Sequence, residues 1–147
     1  MVGRSLGGAV SVHTATKYPH LFRGVVLENT FTSIPDMVDE LFFFAKYFKR
    51  LILNNHWPSI DHVGTIRNPL LFITGDRDEL VPQEMTVRLH AAAKSSAYKQ
   101  LYVVKDGTHS DTWYVGGNNY LQKLKKFFDK ALGMQQVMPK KTGPIES

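Results

Sequence analysis

Apolar residues gather into three short runs, and between them they spread to helical spacing. Residues 24–28 run Gly-Val-Val-Leu-Glu between Pro19 and Asn29-Thr30, which predicts a short buried strand centred on Val25–Leu27. Residues 69–75 are almost continuously apolar from Pro69 to Gly75, as in a parallel strand covered on both faces. Residues 100–104 give a third strand. Residues 6–18 are rich in small side chains and free of proline until Pro19; they predict a helix, with Gly7 and Gly8 letting it approach the sheet. A second helix is expected over 82–94, where Val87, Leu89 and three alanines supply apolar surface. A closing helix over 119–132 would turn Leu121, Leu124, Phe127, Phe128 and Leu132 inward. Alternation of this kind is the rhythm of an α/β fold, here with about three parallel strands and flanking helices.

Residues 31–67 break the rhythm. Met37, Leu41, Phe44, Phe48 and Leu51 recur at steps of four, three, four and three, an amphipathic helix. Phe42, Phe43, Tyr47 and Trp57 add aromatic surface beyond that stripe. Packing against the domain accounts for it; so does a short helical cap over an apolar acyl-binding cleft, since sites form at the C-terminal ends of parallel strands. Residues 1–133 are therefore read as one domain with a cap insertion at about 31–67, and 134–147, with Pro139, Gly143 and Pro144, as a flexible tail.

Composition narrows the chemistry. A chain of 147 residues suits one domain with a real core. It has no cysteine, which removes disulfides, thiol catalysis and cysteine-based zinc sites and leaves the compartment open. The formal net charge of +5 is scattered apart from lysines near the C-terminus; a solvated surface is expected rather than a nucleic-acid patch. The longest apolar run in the aromatic region, Leu41 to Ala45, ends at Lys46, far short of the roughly 18 residues of a membrane span. Glycines and Arg4 stand where a signal peptide would be apolar. The chain is expected to be soluble as it stands.

Residues of interest stand near the N-terminus and just after two of the predicted strands. Gly3-Arg4-Ser5-Leu6-Gly7 fits G-x-S-x-G, a turn that presents a nucleophilic serine between strand and helix. Met1-Val2 is hardly a strand to feed it. Asp76, Asp78 and Glu79 follow the 69–75 strand, and Asp106 and His109 follow the 100–104 strand. Acyl transfer needs a nucleophile, a base for its proton and an acid to orient that base. The order Ser5, Asp78, His109 is that of the α/β hydrolases. Asp76 is the nearest rival acid, although its place directly after Gly75 suits a turn residue; Glu79 and Asp106 are lesser rivals. Asp111 and Trp113 suit capping and packing. His13, His20, His56, His62 and His90 show no pattern that brings them to Ser5. No H-E-x-x-H spacing or phosphate-binding glycine loop is present.

Three segments carry a family resemblance: residues 3–9, residues 28–37 (E-N-T-F-T-S-I-P-D-M) and residues 107–113 (G-T-H-S-D-T-W). They resemble the α/β-hydrolase superfamily, and within it the subgroup of alpha/beta hydrolase domain-containing protein 13. The resemblance implies a serine hydrolase acting on a small-molecule ester or thioester, with Ser5 as nucleophile, Asp78 as acid and His109 as base, and no cofactor. Members often carry an N-terminal membrane anchor, so a longer form with one would be membrane-associated. They also set several strands before the elbow, so the chain resembles the C-terminal half of such a hydrolase. An oxyanion hole in this fold joins the backbone N–H after the nucleophile, here Leu6, to one from an earlier loop. Half of that hole would be missing, and Val25–Leu27 would become an exposed sheet edge. A catalytically silent remnant that binds or regulates is the alternative to an enzyme.

Overall fold

The apolar runs pair with one another because each has side chains to bury on both faces. The computed structural model describes residues 1–40 and 56–136. It contains β1 (Val2–Arg4), β2 (Val25–Glu28), β3 (Leu70–Gly75) and β4 (Lys99–Val104), a parallel sheet in chain order. Gly3 lies opposite Leu27, Val26 opposite Leu71 and Ile73 opposite Tyr102. The sheet has four strands, not three, and two expectations are corrected together. Residues 2–4 do form a strand: the Val26 N–H donates to the Met1 carbonyl at 2.9 Å, so β2 supplies the register that three residues lack by themselves. Val25–Leu27 is consequently an interior strand with no exposure at all, and β1 is the edge.

Among the described residues the sheet is accompanied by the α-helical segments α1 (Leu6–Lys17), α2 (Ile34–Glu40), α3 (Ser59–Val63), α4 (Gln83–Ala92) and α5 (Thr112–Gln136). Alternation along the strands divides the core. Val25, Leu27, Leu70 and Phe72 face Val12 and Ala15 of α1, Val63 of α3 and Leu89 of α4. Val26, Leu71 and Ile73 face Tyr120 and Phe127 of α5. Helices thus cover both faces, and the α/β expectation holds.

The α5 stripe agrees with the expected one at Leu124 and Phe127 and differs at the flanking positions. Tyr120, Leu124, Phe127 and Ala131 turn inward, while Leu121 and Leu132 stay 61% and 57% exposed. Gly24 explains the difference: its bare Cα lies against Phe127 and Ala131, where a Cβ would come within 3.0 Å and 3.1 Å of them. A short helical stretch from Thr112 precedes the main helix across a break at Gly117 (φ 48°), so the main helix begins close to where the pattern places it.

Within 31–67, Met37 is buried with Phe31 and Ile34, and α3 is an element the pattern did not announce. Leu41, Phe42, Phe43, Phe44, Tyr47, Phe48 and Leu51 lie outside the described residues, as does the tail beyond residue 136. Among the described residues no helix is long and apolar enough to cross a membrane.

Candidate active site

The C-terminal ends of β1, β3 and β4 carry the residues singled out above. Ser5 joins β1 to α1 with φ 51° and ψ −124°, a conformation that costs a non-glycine residue of order 1–3 kcal/mol. The turn is held by its surroundings: the Ser5 N–H donates to the Glu28 carbonyl at 2.9 Å, and the Thr30 hydroxyl donates to the Ser5 carbonyl at 2.8 Å. Close approach needs glycine at two positions. A Cβ on Gly3 would lie 2.2 Å from Ser11 Oγ, and one on Gly8 would lie 2.4 Å from Thr30. Gly7, expected to share that role, would meet nothing.

A serine before a helix commonly caps it. Ser5 does not: its side chain makes no capping hydrogen bond. The residue is half-buried, and its hydroxyl is free of a capping role. Leu6, as the first residue of α1, has a backbone N–H with no acceptor inside the helix.

Asp78 and His109 are brought together. His109 Nδ1 lies 2.9 Å from Asp78 Oδ2 and 3.1 Å from Oδ1. The Asp78 side chain is wholly buried and that of His109 is 9% exposed. Burial makes an unpaired carboxylate costly, and Asp78 Oδ1 also accepts the Leu80 and Val81 N–H groups at 2.8 Å and 2.7 Å. The carboxylate is thereby fixed in aim, and Nε2 is the ring nitrogen turned away from it. No hydrogen bond joins Ser5 to His109 among the described residues; such bonds are commonly long in resting sites and tighten when substrate arrives.

The rival carboxylates have other partners. Asp76 Oδ1 accepts the Asp106 N–H at 2.6 Å, and Asp106 pairs with Arg77 at 2.7 Å, so both order the neighbouring turns. Glu79 Oε2 accepts the backbone N–H of His109 at 3.2 Å. Asp111 Oδ1 accepts the Thr108 N–H at 2.7 Å, and hydrogen bonds from Thr108 hold that carboxyl below its usual range.

Two contributors escaped the sequence reading. Asn29 is fully buried at φ 44°, accepts the Gly75 N–H at 3.0 Å and donates to the His109 carbonyl at 3.0 Å. Arg4 donates to that same carbonyl at 2.5 Å. The E-N-T-F stretch and the second position of the elbow were the available signals, but their partners lie 80 and 105 residues away.

Buried Glu28 binds the Thr112 hydroxyl and, at 2.9 Å, the Tyr120 hydroxyl. Burial, then the Glu28 carboxylate, push the Tyr120 phenol well above its ordinary value. Of the other histidines, His13 stacks edge-on with Trp57 at 5.9 Å and His62 at 6.4 Å, and His90 edge-on with Phe72 at 5.5 Å. Burial, then Lys99, lower the His90 pKa. Among the described residues no group of three or more His, Cys, Asp or Glu is gathered to hold a metal ion.

With this geometry in view, residues 1–135 match the prolyl oligopeptidase family, Peptidase_S9. The chain belongs to that family. It lies within the α/β-hydrolase superfamily, as its relatives do. Alpha/beta hydrolase domain-containing protein WAV2 of Arabidopsis thaliana is 35% identical over a 140-residue alignment that covers 87% of this chain and 46% of WAV2. Protein bem46 of Schizosaccharomyces pombe is 34% identical over 126 residues, 85% of this chain and 41% of bem46. This member of the prolyl oligopeptidase family thus spans about half the length of the curated relatives it matches. An esterase from Pyrococcus furiosus superposes with a TM-score of 0.74 over 90% of this chain and 53% of its own, at 20% identity, a likeness of fold.

Proposed function

We propose that the chain carries the nucleophile, acid and base of a serine hydrolase that cleaves an ester or thioester of an acyl group. One observation carries the reading: a wholly buried carboxylate, Asp78, faces Nδ1 of His109 on the strand ends where Ser5 occupies a strained turn. With Nδ1 engaged, His109 Nε2 takes the Ser5 proton as Oγ attacks the acyl carbon. The Leu6 N–H stabilises the oxyanion that forms. His109 then returns the proton to the departing alcohol or thiol, and water releases the acyl group by the same steps in reverse roles. No cofactor enters.

Two features support the acyl class and the finer family. Leu6 and Trp57 pack against buried Ala9, Phe31, Ile34, Met37, Val81 and Met85, an apolar wall beside the proposed oxyanion donor. The E-N-T-F stretch supports the subgroup of alpha/beta hydrolase domain-containing protein 13. A second reading, a silent binding or regulatory piece, draws on the partial coverage of the relatives.

A fluorophosphonate probe separates the two. Labelling of the folded chain that disappears in Ser5→Ala is the expected result. A folded sample that takes no label overturns the enzyme reading in favour of the binding piece.

A further inference from the structure

The His109 carbonyl is an unusual acceptor, because two side chains from two different strands meet on it. Asn29, just past β2, donates at 3.0 Å, and Arg4, the last residue of β1, donates at 2.5 Å. Asn29 is buried and also holds Gly75, so it ties the strand ends to the histidine loop as part of the core. Arg4 differs in both respects. It is exposed, and the residue after it is Ser5.

We infer that Arg4 is a positioning residue that couples the base to the nucleophile. This rests on the serine-hydrolase reading. The guanidinium crosses from the elbow to the main chain of His109, so the side chain that must give up a proton and the ring that must accept it share one tether. Asp78 and Glu79 aim the ring and hold the His109 N–H from the far side. Neither reaches back to the serine turn. Asn29 fixes the loop to β2 and β3, and its hydrogen bonds do not go to β1. Only the Arg4 bond among these sets the loop's distance from the elbow itself, and a charged donor makes that bond stronger than a neutral one.

An error of about 1 Å in such an alignment is enough to cost on the order of 10² in rate. Arg4→Met keeps the apolar stem and removes the donor. Fluorophosphonate labelling of this variant is expected to slow by about tenfold to a hundredfold and still reach the wild-type endpoint. With an acetate ester, kcat falls while KM holds. Arg4→Lys retains more rate than Arg4→Met. Guanidinium chloride, far below denaturing concentrations, restores part of the rate to Arg4→Ala, which a purely structural role would not give. Amide exchange at residues 108–110 accelerates in Arg4→Met with the melting temperature unchanged.

A wild-type labelling rate in Arg4→Met overturns the inference. So does a loss that follows a lower melting temperature and is not restored by guanidinium. If the wild-type chain takes no label, the hydrolase reading fails, and amide exchange decides the tether alone: unchanged exchange at 108–110 in Arg4→Met refutes it, and faster exchange upholds it.

Discussion

At the scale of single residues, the acid is the assignment most open to a direct contest. Asp76 and Asp78 stand two apart in one turn, yet their surroundings differ completely. Asp78 is wholly buried against His109, whereas Asp76 receives a backbone N–H at the sheet's rim. An acid that fixes the base's tautomer is worth about 10⁴ in turnover. Asp78→Asn should therefore cost about that factor in kcat while the chain stays folded, and Asp76→Asn should cost much less; steady-state ester hydrolysis by the two variants checks this, and a reversed order would move the role to Asp76. Ser5 was legible as a candidate from the G-x-S-x-G turn, and Asp78 and His109 from their places in the loops after β3 and β4, where a parallel sheet concentrates chemistry. Arg4 and Asn29 were not. Each acts on a backbone carbonyl, and any residue type has one, so no pattern along the chain marks the partner.

At the scale of elements, β2 and α5 are joined by a polar link inside an apolar layer. Glu28 sits at the end of β2 between the Thr112 and Tyr120 hydroxyls of α5, under the elbow whose N–H its own carbonyl accepts. Losing one partner of a buried polar group costs about 1–3 kcal/mol, so Tyr120→Phe should lower stability by about that much in chemical denaturation. The raised phenol pKa adds a pH signature. The folded chain holds the Tyr120 proton more tightly than the unfolded chain, so this contribution is full below the ordinary phenol value of 10.0 and is lost as pH rises beyond it. Tyr120→Phe should flatten that alkaline decline. The same link shows why the α5 stripe was misjudged at its flanks. Periodicity accepts Leu121, Phe128 and Leu132 as readily as Tyr120 and Ala131; a carboxylate on β2 and a glycine before it decide between them. Strand β1 was missed for a related reason. Three residues carry almost no pattern, and β2 supplies what they lack.

At the scale of the whole molecule, β1 is the outer strand among the described residues, and that edge is poorly protected. Val2 is 58% exposed, and Val10, Tyr18 and Leu21 on the following helix and turn are 41%, 41% and 62% exposed. Beyond β1 no further strand pairs with it among the described residues. An unpaired strand edge offers its N–H and C=O groups to any extended chain, and apolar neighbours make the contact adhesive. Self-association that rises with concentration is the expected behaviour, visible by light scattering and sedimentation. Val2→Lys tests the cause. Lysine on an edge strand opposes pairing, and a substitution at so exposed a position should change stability by no more than about 0.5 kcal/mol. Scattering should fall in Val2→Lys at equal concentration while the melting temperature holds. If the wild-type chain sediments as a monomer at every concentration, or if Val2→Lys associates as readily as the wild type, the β1 edge is not the adhesive surface.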